Sequence, residues 1–262
     1  MKRRQNKSEG VSEAIGFLIM FSVVLTGIAM VSLVGYPMLL ETQISSDERN
    51  MEQAMISVQN DMKIMTFSNI PYRDSTIRVS GGGLTAIDNS SFAQKFTISD
   101  DYGLNLEFEP GAIQYESDDG AAVLTLMNGA LVRREKFQDG SVMIAEPRWF
   151  YDTDGKTLVI YLTSLNADRE YYERGIGTIQ MSMKEQPSVT NLPYATPATV
   201  KITYDYDPDD DYSVAWANYI TGDSVAEGMF TGSGSGTYSH SYSISGVERL
   251  VVKEYDIKIE NM

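Results

Sequence analysis

The chain has 262 residues, no cysteine, one histidine and a formal net charge of −15 at pH 7. The missing cysteine excludes disulfides, thiol chemistry and cysteine-ligated zinc. The acidic balance disfavours nucleic acid and anionic lipid headgroups as partners of the polar part.

The first element is a basic leader, Met1 to Gly10, followed by an uncharged run from Ala14 to Leu40. As a helix those residues are roughly 40 Å long at 1.5 Å per residue. A hydrocarbon core is about 30 Å thick, so the membrane is the first partner this sequence implies. Lys2, Arg3, Arg4 and Lys7 precede the run, whereas Glu41, Asp47 and Glu48 follow it. The positive-inside rule then holds the amino terminus in the cytoplasm and sends the remainder outward as a single-pass protein. An ordinary secretory signal needs a small-residue cleavage site after a shorter apolar stretch. Tyr36-Pro37-Met38-Leu39-Leu40 supplies none. Two readings remain, an uncleaved anchor and a segment cut before the apolar run.

The residues at the junction bear on that choice. Glu9-Gly10 followed by Val11-Ser12-Glu13-Ala14-Ile15-Gly16 resembles the class III signal peptide of archaeal type IV pilin-like proteins. The resemblance is close over residues 9 to 16 and general over the helix. It implies cleavage between Gly10 and Val11 by a prepilin peptidase, with Glu13 as the third mature residue. It also implies assembly with identical or related subunits into a surface filament used for adhesion. Glu9 departs from the lysine or arginine common at that place. The chain is similar as well to an archaeal group that pairs such an amino terminus with a β-rich ectodomain. Physics adds one point, because a carboxylate at the bilayer edge is costly unless compensated. A new α-amino group at Val11 compensates Glu13, in the same chain or in a neighbour. The plainer reading keeps Glu13 at headgroup level, favoured by the helix dipole. Losing residues 1–10, with four basic and one acidic side chain, takes the net charge from −15 to −18.

Pro37 predicts a kink or a lost hydrogen bond near the end of the apolar run. Beyond it Ile44, Met51, Met55, Val58, Met62 and Met65 recur at helical spacing and form one apolar stripe. That stripe serves packing against the chain's own β-domain or contact between subunits. Asn69-Ile70-Pro71 ends the helix, since a residue before proline avoids helical geometry. The predicted organisation is a leader at 1–10, a transmembrane helix at 11–40, an amphipathic extension at 41–70 and a β-rich domain at 71–262.

From Thr76 the pattern turns to short β-branched and aromatic runs. Ala122–Met127, Asn128-Gly129 and Ala130–Val132 form a tight hairpin, because Asn-Gly accepts positive φ. Arg148–Tyr151 and Thr157–Leu162 form a second, across a longer loop. Further strands are expected at Lys95–Ser99, Leu104–Phe108, Ile176–Met183, Thr199–Asp205 and Leu250–Ile259. The fold class is therefore α+β, a long amino-terminal helix followed by a sandwich or jelly-roll-like domain. No helix-period segment of comparable length follows residue 70.

Chemistry-bearing motifs are sparse. His240 lies in Thr231–Gly246, where 10 of 16 residues are glycine or serine. That stretch reads as a flexible surface loop or long hairpin tip, open to O-glycosylation and a poor platform for catalysis. No catalytic residue is assigned and no enzyme activity is expected. Asp205, Asp207, Asp209 and Asp211 alternate along an acidic segment and offer oxygen ligands to Ca²⁺, or else form a solvated loop. No other cofactor is indicated. Asn89-Ser90-Ser91 is an N-glycosylation sequon on an outward turn. Two function classes compete: a pilin-like surface subunit, and a membrane-anchored envelope or ligand-binding β-domain that never polymerises.

Overall fold

The computed structural model describes residues 7–136 and 140–262. The chain divides into two compact units, Met1–Ser46 and Asp47–Met262. Helix α1 covers Lys7–Met30 and α2 covers Tyr36–Ser68, joined by a π-helical turn at Val31–Gly35. The unit boundary falls inside α2. The turn has a cause in the next residues. Pro37 has no N–H to give, and its ring would strike the carbonyl of Leu33 in a regular helix. The Tyr36 N–H instead reaches Val31 O, five residues back, and the widened turn relieves the clash. At the other end Asn69 takes φ 51° and the Ile70 N–H bonds Met65 O at 3.0 Å. This left-handed cap satisfies a carbonyl that the helix leaves open.

Among the described residues thirteen strands form one hydrogen-bonded sheet. They are β1 Tyr72–Ile87, β2 Lys95–Asp100, β3 Asn105–Phe108, β4 Ala112–Ser117, β5 Ala122–Met127, β6 Ala130–Glu135 and β7 Ser141–Ala145. There follow β8 Trp149–Asp152, β9 Thr157–Ala167, β10 Tyr171–Met183, β11 Ser188–Asp205, β12 Thr231–Gly236 and β13 Ser239–Asn261. Between β11 and β12 the chain inserts α3, Ser213–Thr221, and α4, Asp223–Ala226. The order is β3-β2-β11-β13-β10-β1-β4-β5-β6-β7, with β12 and β9 added to β13 and β8 to β9. Strand β9 runs parallel to β13, and the other pairings are antiparallel. The class is α+β, as the patterning implied.

Both expected hairpins are present. Asn128 (φ 47°) and Gly129 (φ 72°) turn β5 into β6, with Met127 opposite Ala130. Trp149 to Asp152 pair with Ile160 to Thr157 in the second. Of the two readings of the glycine–serine stretch, the structure takes the hairpin. Thr231 to Gly236 pair with Ser243 to Ser239, so the segment is an ordered edge hairpin. Strands β1, β4 and β7 and the short helices α3 and α4 were not foreseen.

Two cores lie on opposite faces of the central strands, because alternate residues point opposite ways. One is aromatic: Phe96, Trp149, Tyr204, Tyr212, Trp216 and Tyr219 gather with Leu158, Ile160, Leu250 and Val252. The other takes Met51, Met55, Val58, Met62 and Met65 of α2 against Ile77, Leu84, Leu124, Leu131 and Ile257. The methionine stripe is thus core of the β-domain, each side chain contributing about 1.5–3 kcal/mol on burial. Polar bonds fix the helix on the sheet. Buried Gln59 donates to Gly129 O (2.7 Å) and Glu146 O (3.1 Å). Arg133 on β6 holds Glu48 (2.8 Å) and Glu52 (2.5 Å) of α2 together with Glu135 (2.6 Å).

Candidate functional sites

The amino-terminal helix is the first candidate. From Glu13 to Leu40 every side chain is exposed, including Phe17, Phe21, Leu25, Ile28, Leu33 and Leu39. Two of its hydroxyls are turned inward onto backbone: Ser22 donates to Leu18 O and Thr26 to Ser22 O, both at 2.7 Å. That arrangement suits an environment without water, where each polar group needs an internal partner. Phe17 and Phe21, one turn apart, stack at 6.0 Å. The helix is long and apolar enough to cross a membrane. Gly10 and Val11, the expected cleavage pair, are helical in backbone, and Glu13 is exposed near the start of the apolar run. Leader residues 1–6 lie outside the described residues.

The acidic segment is the second candidate. Asp205 closes β11 opposite Ser239. Asp207 caps the 3-10 turn Pro208–Asp210 by accepting from the Asp209 N–H at 2.9 Å. Asp211 accepts from the Ser213 N–H at 2.7 Å, at the start of α3. The Asp207 and Asp211 carboxylates are thus each engaged by a separate local backbone N–H. Among the described residues no group of three or more histidine, aspartate or glutamate side chains is placed to hold a metal ion. Asp205, Asp207, Asp209 and Asp211 are not brought together as one ligand set among the described residues.

The residue that matters in this segment is Asp210, outside the alternating set. Its carboxylate pairs with Arg134, whose side chain is 10% exposed, and accepts from Gln114 Nε2 at 3.1 Å. Its carbonyl accepts from Gln94 Nε2 at 3.0 Å. Gln114 also donates to the Tyr212 hydroxyl (3.0 Å), which shares a 2.7 Å hydrogen bond with Thr125. Burial first, and then the Asp210 charge, push the Tyr212 phenol up to about 12. The network ties the insert carrying α3 to β4, β5 and β6. Sequence offered a signal for α3 itself, since Ala215, Trp216, Tyr219 and Ile220 are its buried residues and fall at helical spacing.

His240 lies on β13 with its ring 5.4 Å from that of Tyr206 and nearly parallel to it, and Tyr206 Oη is 3.3 Å from Nε2. Asn89 occupies the turn between β1 and β2, with its N–H on Leu165 O at 3.1 Å. Asp88 holds that turn by accepting from the Ser90 N–H (3.1 Å) and hydroxyl (2.5 Å). Ser90 and Ser91 of the sequon are exposed.

These features define an α+β protein in which one helix long and apolar enough to cross a membrane precedes a large β-domain. The chain belongs to a family of unknown function, DUF7289, whose model matches residues 9–260. No curated protein and no solved structure was found to match it.

Proposed function

We propose that this is a pilin-like cell-surface protein, held by its amino-terminal helix in the membrane and assembled through that helix into a filament that displays the β-domain for adhesion. The observation that carries the reading is the helix from Ala14 to Leu40, uncharged, predominantly apolar and exposed throughout. Apolar surface of that extent is stable only in lipid or against other helices. The continuation of the element supports the same reading. Helix α2 begins within the apolar run at Tyr36 and ends at Ser68 as part of the methionine-lined core. The junction Gly10-Val11, with Glu13 behind it, supplies the processing site, and the family match takes in all three residues.

The test is the intact mass and amino-terminal sequence of the native protein from membranes and from sheared surface material. A terminus at Val11, present in the sheared fraction and lost in Gly10→Val, is the expected result. An intact leader on protein confined to membranes overturns the pilin reading and leaves an anchored envelope domain.

A further inference from the structure

The sheet carries a second exposed feature on the strands β8, β9, β13 and β11. Cross-strand neighbours share a face, and the register sets Phe150, Val159, Val251 and Asn191 in one row, with Tyr161, Lys253 and Val189 in the next. Arg249 lies two residues before Val251, on the same side. Contacts agree with that assignment. Arg148 and Lys253 each stand 5.3 Å from the Tyr161 ring, and Phe67 at the end of α2 meets that ring edge-on at 5.4 Å. The face is open at its flanks, where Val189 is 57% and Phe150 37% exposed, while Val159 between them is 9% exposed. It is also basic in an acidic protein. Among the described residues Arg148, Arg249 and Lys253 make no ion pair. The one acid in these rows, Asp152, accepts from the Gly155 N–H at 3.2 Å.

The reverse side of the same strands has the opposite character. Glu254 stands beside Leu162, and Asp256 beside Ser164. Leu162 belongs to the aromatic core, so these acids point away from Lys253. They line a cavity of about 430 Å³ together with Glu107, Glu109 and Glu185. Lys95 neutralises Glu107, and Lys184 approaches Asp256 at 3.6 Å. Glu109, Glu185 and Glu254 make no ion pair among the described residues, although the Lys95 charge reaches Glu109. Burial raises the Glu254 carboxyl above its ordinary range, as expected where no positive group offsets desolvation.

We propose that the basic face of one copy docks on the acidic cavity side of a second copy, with Lys253, Arg249 and Arg148 supplying the charges that Glu109, Glu185 and Glu254 lack. The inference rests on the filament reading above and deepens it. Two complementary surfaces on opposite sides of one sheet make a head-to-tail contact, and such a contact leaves a free surface at each end for further copies. The occupant is another copy because both halves of the complementarity occur on this chain. Size sets how the contact works. Four strands about 4.8 Å apart and five residues long cover roughly 300 Å², against about 800 Å² per partner in a stable standard interface. The contact therefore orients copies that the helices already hold at high effective concentration.

The test uses full-length protein in lipid vesicles, with isotopically light and heavy copies mixed. Zero-length carbodiimide coupling joins amines to carboxylates in direct contact, and a Val24→Cys substitution reports helix proximity through a disulfide between copies. Expected are mixed light–heavy peptides linking Lys253 to Glu109, Glu185 or Glu254. Those links are lost in Lys253→Glu, and adding Glu185→Lys should restore a mixed light–heavy link between positions 253 and 185 with amine and carboxylate exchanged. Arg249→Glu, at a second exposed position, should weaken the link without altering the melting profile. Helix disulfides without any Lys253 link overturn the docking face and leave the filament reading standing. Absence of both kinds of link overturns the two together.

Discussion

Asp210→Ala tests whether the acidic segment is structural. The substitution removes the ion pair with Arg134 and the hydrogen bond from Gln114, and it leaves a guanidinium whose Nε has no partner already. Stripping one partner from a buried pair costs about 3–5 kcal/mol, because the remaining charge stays desolvated. The Asp210 side chain is 28% exposed, which places the expected loss near the lower end, at about 3 kcal/mol. With a urea slope of about 2–3 kcal/mol per molar, the unfolding midpoint of the full chain in detergent should drop by roughly 1–1.5 M. The double variant Asp210→Leu/Arg134→Met should recover most of the loss, since an apolar pair carries no desolvation debt. Asp207→Asn and Asp209→Asn should shift the midpoint far less, and added Ca²⁺ should leave wild type unchanged. A loss below about 1 kcal/mol, the range of exposed pairs, or a calcium-dependent midpoint refutes the assignment.

Other positions give independent checks. Met62→Ala truncates a side chain 2% exposed under α2 and should cost about 2–5 kcal/mol in the same assay. Gly82→Ala would place a Cβ 2.2 Å from the Glu116 carbonyl oxygen, so the backbone must move. A loss of about 1–3 kcal/mol is expected, with β-strand circular dichroism retained. Alkaline unfolding follows from Tyr212 and Tyr242, each raised to about 12, by burial first in both cases. Unfolded tyrosine titrates near 10, so the folded state holds these protons more tightly. That stabilisation is complete below about pH 10 and is lost as pH climbs toward 12. Urea midpoints measured across that window, with phenolate absorbance read in parallel, should fall together with the titration.

Local signals were legible where period and turn chemistry agree. The apolar run, the methionine stripe and the Asn128-Gly129 hairpin each rest on interactions within a few residues, and each is found near its expected place. Strand β1 was hidden because Gly81, Gly82 and Gly83 interrupt its alternation. The structure uses them where the strand shifts from β10 to β4, and Gly81 takes φ 62°. Thr231–Gly236 has no side-chain pattern at all, and its strand state comes from pairing with β13. The role of Asp210 in the acidic run was hidden for the same reason. Its decisive partner, Arg134, lies 76 residues away, and no local reading discloses such a partner. The basic face was equally invisible, since Arg148, Lys253 and Val189 become neighbours through strand order alone.

Strand β13 joins four others, β9, β10, β11 and β12, and it follows all of them in the chain. Until residues 239–261 arrive, β9 and β11 expose open edges, and the Leu250 and Val252 side of the aromatic core is missing. Such long-range pairing is slow and leaves strand edges prone to aggregation. The domain therefore forms in one late step after its last strand is made, whichever compartment it folds in. Chains interrupted before β13 would be clients for chaperones and proteases, and quality control would see an intact domain or an open sheet with little between.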